Sequence, residues 1–95
     1  MKIDFNLKKL NSDTVIIVDY VMQKPDGLVV VGQVKNGSIS TGDEVEIQAN
    51  GRTAILDKIV RIEFWHNRIE KASCGQEVGI MLKTVTKEDL VRYLD

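Results

Sequence analysis

The chain has 95 residues, of which 43% are hydrophobic and 28% charged, and its formal net charge is -1. This composition predicts one small folded domain and excludes a disordered chain. Lys and Arg number 13 and Asp and Glu number 14, so the chain has no overall positive field. Binding to nucleic acid or to an anionic membrane would therefore need a local basic patch.

The sequence shows no signal for secretion, membrane insertion or disulfide formation. The single cysteine, Cys74, excludes an internal disulfide, and we expect a buried or half-buried packing thiol in a reducing compartment. The N-terminal MKIDFNLKKLNSD has acidic and amide residues where a signal peptide has its apolar core. No apolar run approaches the ~20 residues that span a bilayer. We expect a cytoplasmic protein that makes no membrane contact.

The first half of the chain is organised with a period of two. We predict an N-terminal extension over residues 1–12 and a single domain over residues 13–95. DTVIIVDYVM is rich in β-branched residues and predicts a strand, and KPDG predicts the first corner, where Gly27 is free to take positive φ. The strand LVVVGQV then returns, and its Gly32 predicts a bulge or a sharp bend.

Two further corners precede the next strand. Asn36-Gly37 and Thr41-Gly42 suit left-handed backbone, which is unfavourable for a residue with a Cβ atom. Asp43 is interpreted as a turn former whose side chain bonds the local backbone. EVEIQ then alternates strictly, which predicts that Val45 and Ile47 point inward.

The second half contains longer strands and one helical segment. ANGR predicts a hairpin, with Asn50-Gly51 in a type I′ turn. TAILDKIVRIEFW loses its alternation between Ile55 and Ile62, so we expect a bulge or two strand segments. QEVGIMLK alternates again, and TKEDLVRYL predicts a short helix or 3₁₀ turn with Thr86 as its N-cap.

These elements together predict an all-β fold. Five or six short strands at roughly ten-residue spacing, separated by glycine-rich corners, are typical of a small barrel. The fold class is therefore a small closed or nearly closed β-barrel with a short C-terminal helical turn. The predicted structural turns lie at Gly27, Gly37, Gly42, Asp43 and Gly51.

No constellation of residues predicts an enzyme, a metal site or a cofactor. His66 is the single histidine, and a metal site needs three or four ligands. The sequence has no nucleophile-elbow motif, so it predicts no Ser-His-Asp triad. It also has no GxxxxGK[ST] motif to hold nucleotide phosphates. Asp43 and Glu44 are adjacent in the chain and would point to opposite faces of a strand.

The segment RIEFWHNR is the stretch most typical of nucleic-acid binding. Arg61 and Arg68 would meet phosphates, and Trp65 would stack on a base, which is worth about 1–3 kcal/mol. The alternative is that Phe64 and Trp65 pack over one end of the barrel and that His66 is a loop residue. The sequence leaves both interpretations open.

The ordered series of motifs resembles domain 2 of elongation factor Tu-type translational GTPases. DGLVVVGQVKNGSISTGDEVEI carries the family's glycine corner, its G-[RQ]-V strand and its G-D turn, and IVRIEFWHNRIEKASCGQEVGIMLKTVTKEDL is similar to the family's second half. The resemblance covers Asp13 to Leu94. It implies a tRNA-contacting barrel that stands free of a GTPase domain, and therefore implies no nucleotide hydrolysis.

The resemblance also implies particular site residues. In the aminoacyl-tRNA carriers this barrel helps to form a pocket for the 3′ adenosine, and an acidic pair is part of that pocket. Asp19 falls on the second acid of the pair, and Val18 replaces the first. Glu63 falls on a later glutamate of that pocket, and a carboxylate suits a ribose hydroxyl. The predicted RNA-binding residues are Asp19, Arg61, Glu63, Trp65, His66 and Arg68.

Two classes of function follow from these observations. The first is a non-catalytic module that binds RNA, such as a tRNA-like molecule, or a ribonucleoprotein. The second is a protein-interaction or assembly module, monomeric or homodimeric, that uses exposed strand edges or the Leu90/Leu94 helix for docking.

Overall fold

The computed structural model describes residues 4–95, which contain nine β-strands and one α-helix. In chain order these are β1 (Asn6–Lys9), β2 (Val15–Lys24), β3 (Gly27–Lys35), β4 (Ser38–Ser40), β5 (Glu44–Gln48), β6 (Ile55–Phe64), β7 (Asn67–Ile69), β8 (Lys71–Ser73), β9 (Glu77–Leu82) and α1 (Lys87–Leu94).

Six of the strands close into an antiparallel barrel. Their order is β1-β2-β3-β9-β6-β5, and the barrel closes because β5 pairs with both β1 and β6. Strand β7 extends β6 beyond the barrel, while β4 and β8 form a separate two-stranded ribbon. The predicted all-β barrel with a C-terminal helical segment is confirmed.

The inward-facing side chains form one apolar core. In β5 the predicted alternation holds, with Val45 and Ile47 fully buried between exposed or half-buried neighbours. In β9 the alternation of QEVGIMLK places Val78, Ile80 and Leu82 on one face, and that face is buried. The side chains that are completely buried include Leu7, Ile16, Leu28, Val30, Val34, Ile39, Ile59, Ile62 and Leu90.

Two bulges bend the sheet so that it closes. The first is in β2, where Asp19 is the extra residue between Val18, paired with Gly32, and Tyr20, paired with Val31. A Cβ atom on Gly32 would clash with the carbonyl oxygen of Ile17, so only glycine permits this approach. The bend predicted at Gly32 is confirmed, although the extra residue lies on the partner strand.

The second bulge lies in β6. The pairing of β6 with β9 shifts between Ile59 and Arg61, which leaves Val60 as the extra residue. This confirms the bulge predicted from the lost alternation between Ile55 and Ile62. Each bulge sharpens the local twist, which a barrel with so few strands requires.

The predicted glycine corners have positive φ. The values are +153° at Gly27, +133° at Gly37, +96° at Gly42 and +74° at Gly51. Asp43 is also confirmed as a turn former, because its Oδ2 atom accepts a hydrogen bond of 2.8 Å from the Ser40 amide. The same carboxylate lies 3.4 Å from the Lys9 ammonium.

The type I′ turn predicted at Asn50-Gly51 is wrong. Gly51 has positive φ but Asn50 does not, and a type I′ turn needs both. Strands β5 and β6 do form a hairpin, in the register Ile47 to Ile55, but residues 49–54 make a longer loop. Within this loop the Arg52 amide donates a hydrogen bond to the Ala49 carbonyl. The turn that this bond closes has one residue with left-handed backbone, Gly51.

Two other features differ from the sequence-based expectation. Asn6–Lys9 is one of the strands of the barrel, β1, and pairs with β2 and β5. From the sequence, residues 1–12 are assigned to an N-terminal extension. Residues 1–3 of that extension lie outside the described residues. Cys74 is exposed and not a packing thiol, because it precedes Gly75 in a tight turn with φ of +96°.

Helix α1 covers one end of the barrel. Thr86 is its N-cap as predicted, and it forms a capping box in which Thr86 and Asp89 each bond the other's backbone amide. Leu90 of the helix is fully buried in the core. Across residues 4–95 we find no helix with the length and apolar character needed to cross a bilayer.

Asp57 holds the chain segment that leads into the helix. This buried carboxylate accepts hydrogen bonds from the amides of Thr84 and Val85 at 2.8–3.2 Å, and from the adjacent Lys58 amide at 2.8 Å. Charge-assisted bonds of this kind satisfy backbone donors that otherwise have no partner. Asp57 of β6 therefore stabilises the fold by holding the segment before α1.

Candidate functional site

A groove lies on the outer face of the barrel, across β2, β3, β9 and β6, with a volume of about 410 Å³. We call it the outer groove. One wall is formed by the β2 side chains Tyr20, Met22 and Lys24. Trp65 and His66, in the turn between β6 and β7, form the opposite rim.

The bulge at Asp19 explains why β2 supplies this wall. Beyond the bulge, Tyr20 and Met22 lie on the outer face of the sheet, where they are 50% and 38% exposed. Val21 points the other way and packs against the core. An extra residue in a strand re-aims the side chains that follow it, so the bulge turns two large apolar groups toward the groove.

The floor of the groove is apolar, with carboxylates at its sides. Val29 of β3 is buried although it lies on the outer face. Gly79 of β9 has no side chain, so the floor is open above it. Glu63 of β6 and Glu77 of β9 line the same groove, and the Glu63 side chain is 38% exposed.

Asp19 and Glu77 form a carboxyl pair beside the groove. A hydrogen bond with Asp19, and secondarily the negative charge of Asp19, raise the pKa of Glu77 above its ordinary value. Asp19 therefore lies next to a groove residue and does not line the groove itself.

Arg61 is held in ion pairs and is mostly buried. Its Nη1 atom lies 3.3 Å from Asp26 Oδ2, and its Nε atom lies 3.7 Å from Glu63 Oε2. The side chain is only 19% exposed. The contact with Asp26 ties the corner between β2 and β3 to strand β6, and the longer contact places the guanidinium beside the Glu63 carboxylate without a hydrogen bond between them.

The rim of the groove has an unusual backbone. Trp65 and His66 have φ values of 52° and 65°, and the flanking Phe64 and Asn67 are paired across the hairpin. Positive φ at both central residues is the pattern of a type I′ turn, which normally contains asparagine and glycine. The Asn67 side-chain amide donates a 3.1 Å hydrogen bond to the Trp65 carbonyl and helps to hold the turn.

Trp65 projects into solvent, whereas its neighbour Phe64 packs on the core. Trp65 is 79% exposed, and its ring meets the Phe64 ring edge-on with centroids 6.1 Å apart. Of the two aromatic residues, only Phe64 packs against the core, and it also lines the outer groove. Arg68, paired with Glu63 across the hairpin, is exposed on β7 beside the rim.

The structure thus brings most of the predicted residues to one surface. Glu63, Trp65 and His66 line the outer groove directly, while Asp19 and Arg61 lie next to Glu77 and Glu63, two glutamates that line it. The sequence did not predict Tyr20, Met22, Glu77 or Gly79 as groove residues. The two-residue spacing of Tyr20 and Met22 indicates that they share one face of the strand. That this face is the outer one follows only from the bulge at Asp19.

Other chemistry is not supported by the described residues. Among residues 4–95 we find no cluster of three or more His, Cys, Asp or Glu side chains that would hold a metal ion. What the groove offers is an aromatic surface, carboxylate acceptors and an open apolar floor. This combination suits a planar ligand that carries hydrogen-bond donors.

A closed barrel of six antiparallel strands with a groove on its outer face places the protein among the small all-β barrel domains. The family model of elongation factor Tu domain 2 matches residues 27–92, which is more than half of the chain. The chain belongs to the elongation factor Tu domain 2 family. The matched residues include Glu63, Trp65 and Gly79, whereas Asp19 lies before the match begins.

Proposed function

We propose that this protein is a non-catalytic RNA-binding module and that unpaired RNA binds in the outer groove. The observation that carries the proposal is Trp65, which is 79% exposed on the rim of an open groove in a translation-factor-type barrel. Proteins commonly bind single-stranded nucleic acid through exposed aromatic rings that lie beside hydrogen-bond acceptors. The proposal places the protein in the cytoplasm.

Each predicted residue has a distinct role in this proposal. Trp65 stacks on a base, and the Glu63 carboxylate accepts a hydrogen bond from a ribose hydroxyl, a donor that deoxyribose lacks. Arg61 is assigned an electrostatic role, because its guanidinium lies 3.7 Å from the Glu63 carboxylate and offsets its charge. His66 lies on the rim next to Trp65, and Arg68 is the exposed cation that meets a phosphate there.

Asp19 acts on the groove indirectly. Its carboxyl group lies beside that of Glu77, a groove residue, and raises the Glu77 pKa. Two carboxylates beside the floor repel phosphate groups, so the base and the ribose enter the groove while the phosphates stay at the rim. The candidate ligand is therefore single-stranded RNA, bound through its nucleosides.

The experiment is a comparison of RNA and DNA oligonucleotides of the same sequence, measured by fluorescence anisotropy. We expect the wild type to bind the RNA more tightly, and we expect Glu63→Gln to reduce that preference. Glu44→Gln is the matched control, because Glu44 is an exposed glutamate of β5 that does not line the groove. Equal affinity of the wild type for RNA and DNA would contradict the assigned role of Glu63, and absence of RNA binding would overturn the proposed function.

A protein-assembly module is the second candidate. Leu56 and Val60 of β6 are 64% and 42% exposed, and neither lines the outer groove. Exposed aliphatic side chains of this size favour contact with a protein surface. Capture of partners from lysate, with and without ribonuclease, separates the two candidates, because protein partners held by these residues would survive the nuclease.

A further inference from the structure

The chain contains two Asn-Gly pairs, Asn36-Gly37 and Asn50-Gly51, and both lie in exposed turns between strands. Asparagine is chemically labile when glycine follows it, because glycine has no side chain to shield the peptide nitrogen from the asparagine side-chain amide. Reaction between the two groups requires the peptide plane that joins the residues to turn. The surroundings of the two pairs differ in this respect.

The Asn36-Gly37 peptide plane is held in place. The Asn36 carbonyl accepts a hydrogen bond of 2.9 Å from the hydroxyl of Thr14, which is 3% exposed, and the same hydroxyl accepts a 2.9 Å hydrogen bond from Ser12. A Cβ atom on Gly37 would clash with the Thr14 hydroxyl, so the backbone packs directly on this buried side chain. Since the atoms of a peptide unit lie in one plane, a fixed carbonyl also fixes the Gly37 nitrogen.

The Asn50-Gly51 peptide plane has no such support. Among the described residues, neither the Asn50 carbonyl nor the Gly51 amide makes a hydrogen bond; the turn is closed only by the 3.1 Å bond from the Arg52 amide to the Ala49 carbonyl. A Cβ atom on Gly51 would meet no other atom within 4 Å. Asn50 and Gly51 are both exposed, so this peptide plane turns without breaking a hydrogen bond and solvent reaches it.

We infer that Asn50 is a modification site, which deamidates spontaneously through a cyclic imide formed with Gly51, while Asn36 stays intact in the folded protein. The Gly51 nitrogen attacks Cγ of Asn50, the bond from Cγ to Nδ2 breaks, and Nδ2 leaves as ammonia with the proton from the Gly51 amide. Water then opens the ring. Its addition at Cγ gives aspartate, and its addition at the backbone carbonyl carbon gives isoaspartate, whose main chain runs through Cβ and Cγ.

The loop that carries this site also holds the end of α1. The Tyr93 hydroxyl accepts a hydrogen bond from the Ala49 amide and donates one to the Ile47 carbonyl, both at 3.3 Å. The Arg52 guanidinium donates a 3.0 Å hydrogen bond to the Leu94 carbonyl. Isoaspartate adds a methylene group to the main chain between Ala49 and Arg52, the two loop residues that make these contacts.

Both products also place a carboxylate where a neutral amide stood. Asn50 lines a crevice that Asp4 lines as well, so the new charge lies near an existing negative one and is repelled by it. The longer main chain and the added charge act in the same direction. Deamidation at Asn50 therefore loosens the contact between α1 and the barrel.

The test follows both sites in the full chain during incubation at physiological temperature and mildly alkaline pH, with peptide mapping by mass spectrometry. In the folded protein we expect Asn50 to deamidate about tenfold faster than Asn36 or more, because the Thr14 hydrogen bond must break before Asn36 reacts. The same chain in denaturant is the reference, where the two sites should react at similar rates. Thr14→Val, which keeps the shape but lacks the hydroxyl, should speed the reaction at Asn36 alone. Equal rates at the two sites of the folded chain, or no reaction at Asn50 while the denatured chain reacts, would overturn the inference.

A second measurement tests the link to α1. The deamidated protein, separated from the intact protein by its added charge, should unfold at a lower temperature than the wild type. Asn50→Asp carries the charge without the extra methylene group and should lie between the two, whereas Asn50→Gln should neither deamidate on this timescale nor lose stability. An isoaspartate form that is as stable as the wild type would overturn the effect on α1.

Discussion

Glu63 is paired with Gly79 across strands β6 and β9, and the missing side chain at Gly79 leaves the Glu63 carboxylate open to the outer groove. Neighbouring positions on the same face carry larger side chains. Met81, two residues along β9, is buried on the outer face opposite Arg61. The depth of the groove therefore depends on one glycine in the middle of a strand, where glycine is otherwise unfavourable.

Filling this position should block the groove without unfolding the barrel. A Cβ atom on Gly79 would meet only the Val29 Cγ1 atom, at 3.4 Å, and the backbone there is not left-handed. We expect Gly79→Ala to weaken RNA binding several-fold and Gly79→Val to weaken it more than tenfold, with unchanged circular dichroism. Binding at wild-type affinity in Gly79→Val would show that the ligand does not use the groove floor.

The salt dependence of binding should be shallow. Lys24 lines the groove and Arg68 lies at its rim, whereas Arg61 is held by Asp26 and Glu63. Two phosphate contacts to a single strand predict a slope of about −1.4 in a plot of log affinity against log salt concentration. Titrations at several salt concentrations measure this slope. A slope several times steeper would indicate that a broad basic surface, and not the groove, binds the RNA.

Stability should depend on pH through the Asp19–Glu77 pair. The hydrogen bond and charge of Asp19 raise the pKa of Glu77 in the folded protein above its value of 4.5 in the unfolded chain. The folded state therefore binds the proton more tightly, so this pair makes stability fall as the pH rises from 4.5 through the folded pKa. Asp19→Asn should remove this fall and leave the protein more stable at neutral pH.

Chemical unfolding at a series of pH values measures this effect. The opposite sign is expected for Asp89, since its hydrogen bonds with Thr86 lower the pKa of its carboxyl group below 3.8. That contribution is present at neutral pH and is lost as the pH falls through the lowered folded-state pKa. A pH profile that Asp19→Asn leaves unchanged would mean that the two carboxyl groups do not interact in solution.

Removal of the Asp57 carboxylate should destabilise the fold strongly. The amides of Lys58, Thr84 and Val85 would lose their charged acceptor in a buried site, and a bond to a charged group contributes about 1.5–3 kcal/mol. We expect Asp57→Ala to lower the free energy of unfolding by about 3 kcal/mol. Denaturant titration measures this value, with the exposed Asp13→Ala as a control that should change little. An equal, small effect of the two substitutions would show that Asp57 does not hold the segment before α1.

The barrel was predictable from the sequence because local signals agree with the fold. Positive φ at Gly27, Gly37 and Gly42, inward alternation in β5, and the Thr86 cap all follow from residue type and spacing. Strand β1 was not predictable in this way. Four residues in Asn6–Lys9 carry little periodicity of their own, and their place is set by pairing with β2 and β5.

The groove was less predictable, because it is assembled from distant parts of the chain. Tyr20, Trp65 and Gly79 meet only after the barrel closes and the Asp19 bulge has turned β2. The turn at Trp65 was hidden for a related reason: type I′ turns are recognised by asparagine and glycine, and this one has neither. The turn propensities of asparagine and glycine therefore predicted a type I′ turn at Asn50-Gly51. The longer loop there does not need positive φ at both residues.

The measurement that tests the proposed binding of RNA in the outer groove most directly is the fluorescence of Trp65. It is the single tryptophan of the chain and is 79% exposed, so its emission reports on the groove rim alone. Titration with short single-stranded RNA should quench the emission in a saturable way, because a base stacks on the indole ring, and Gly79→Val should abolish the quenching. RNA binding detected by anisotropy with no change in Trp65 emission would contradict a groove-bound ligand.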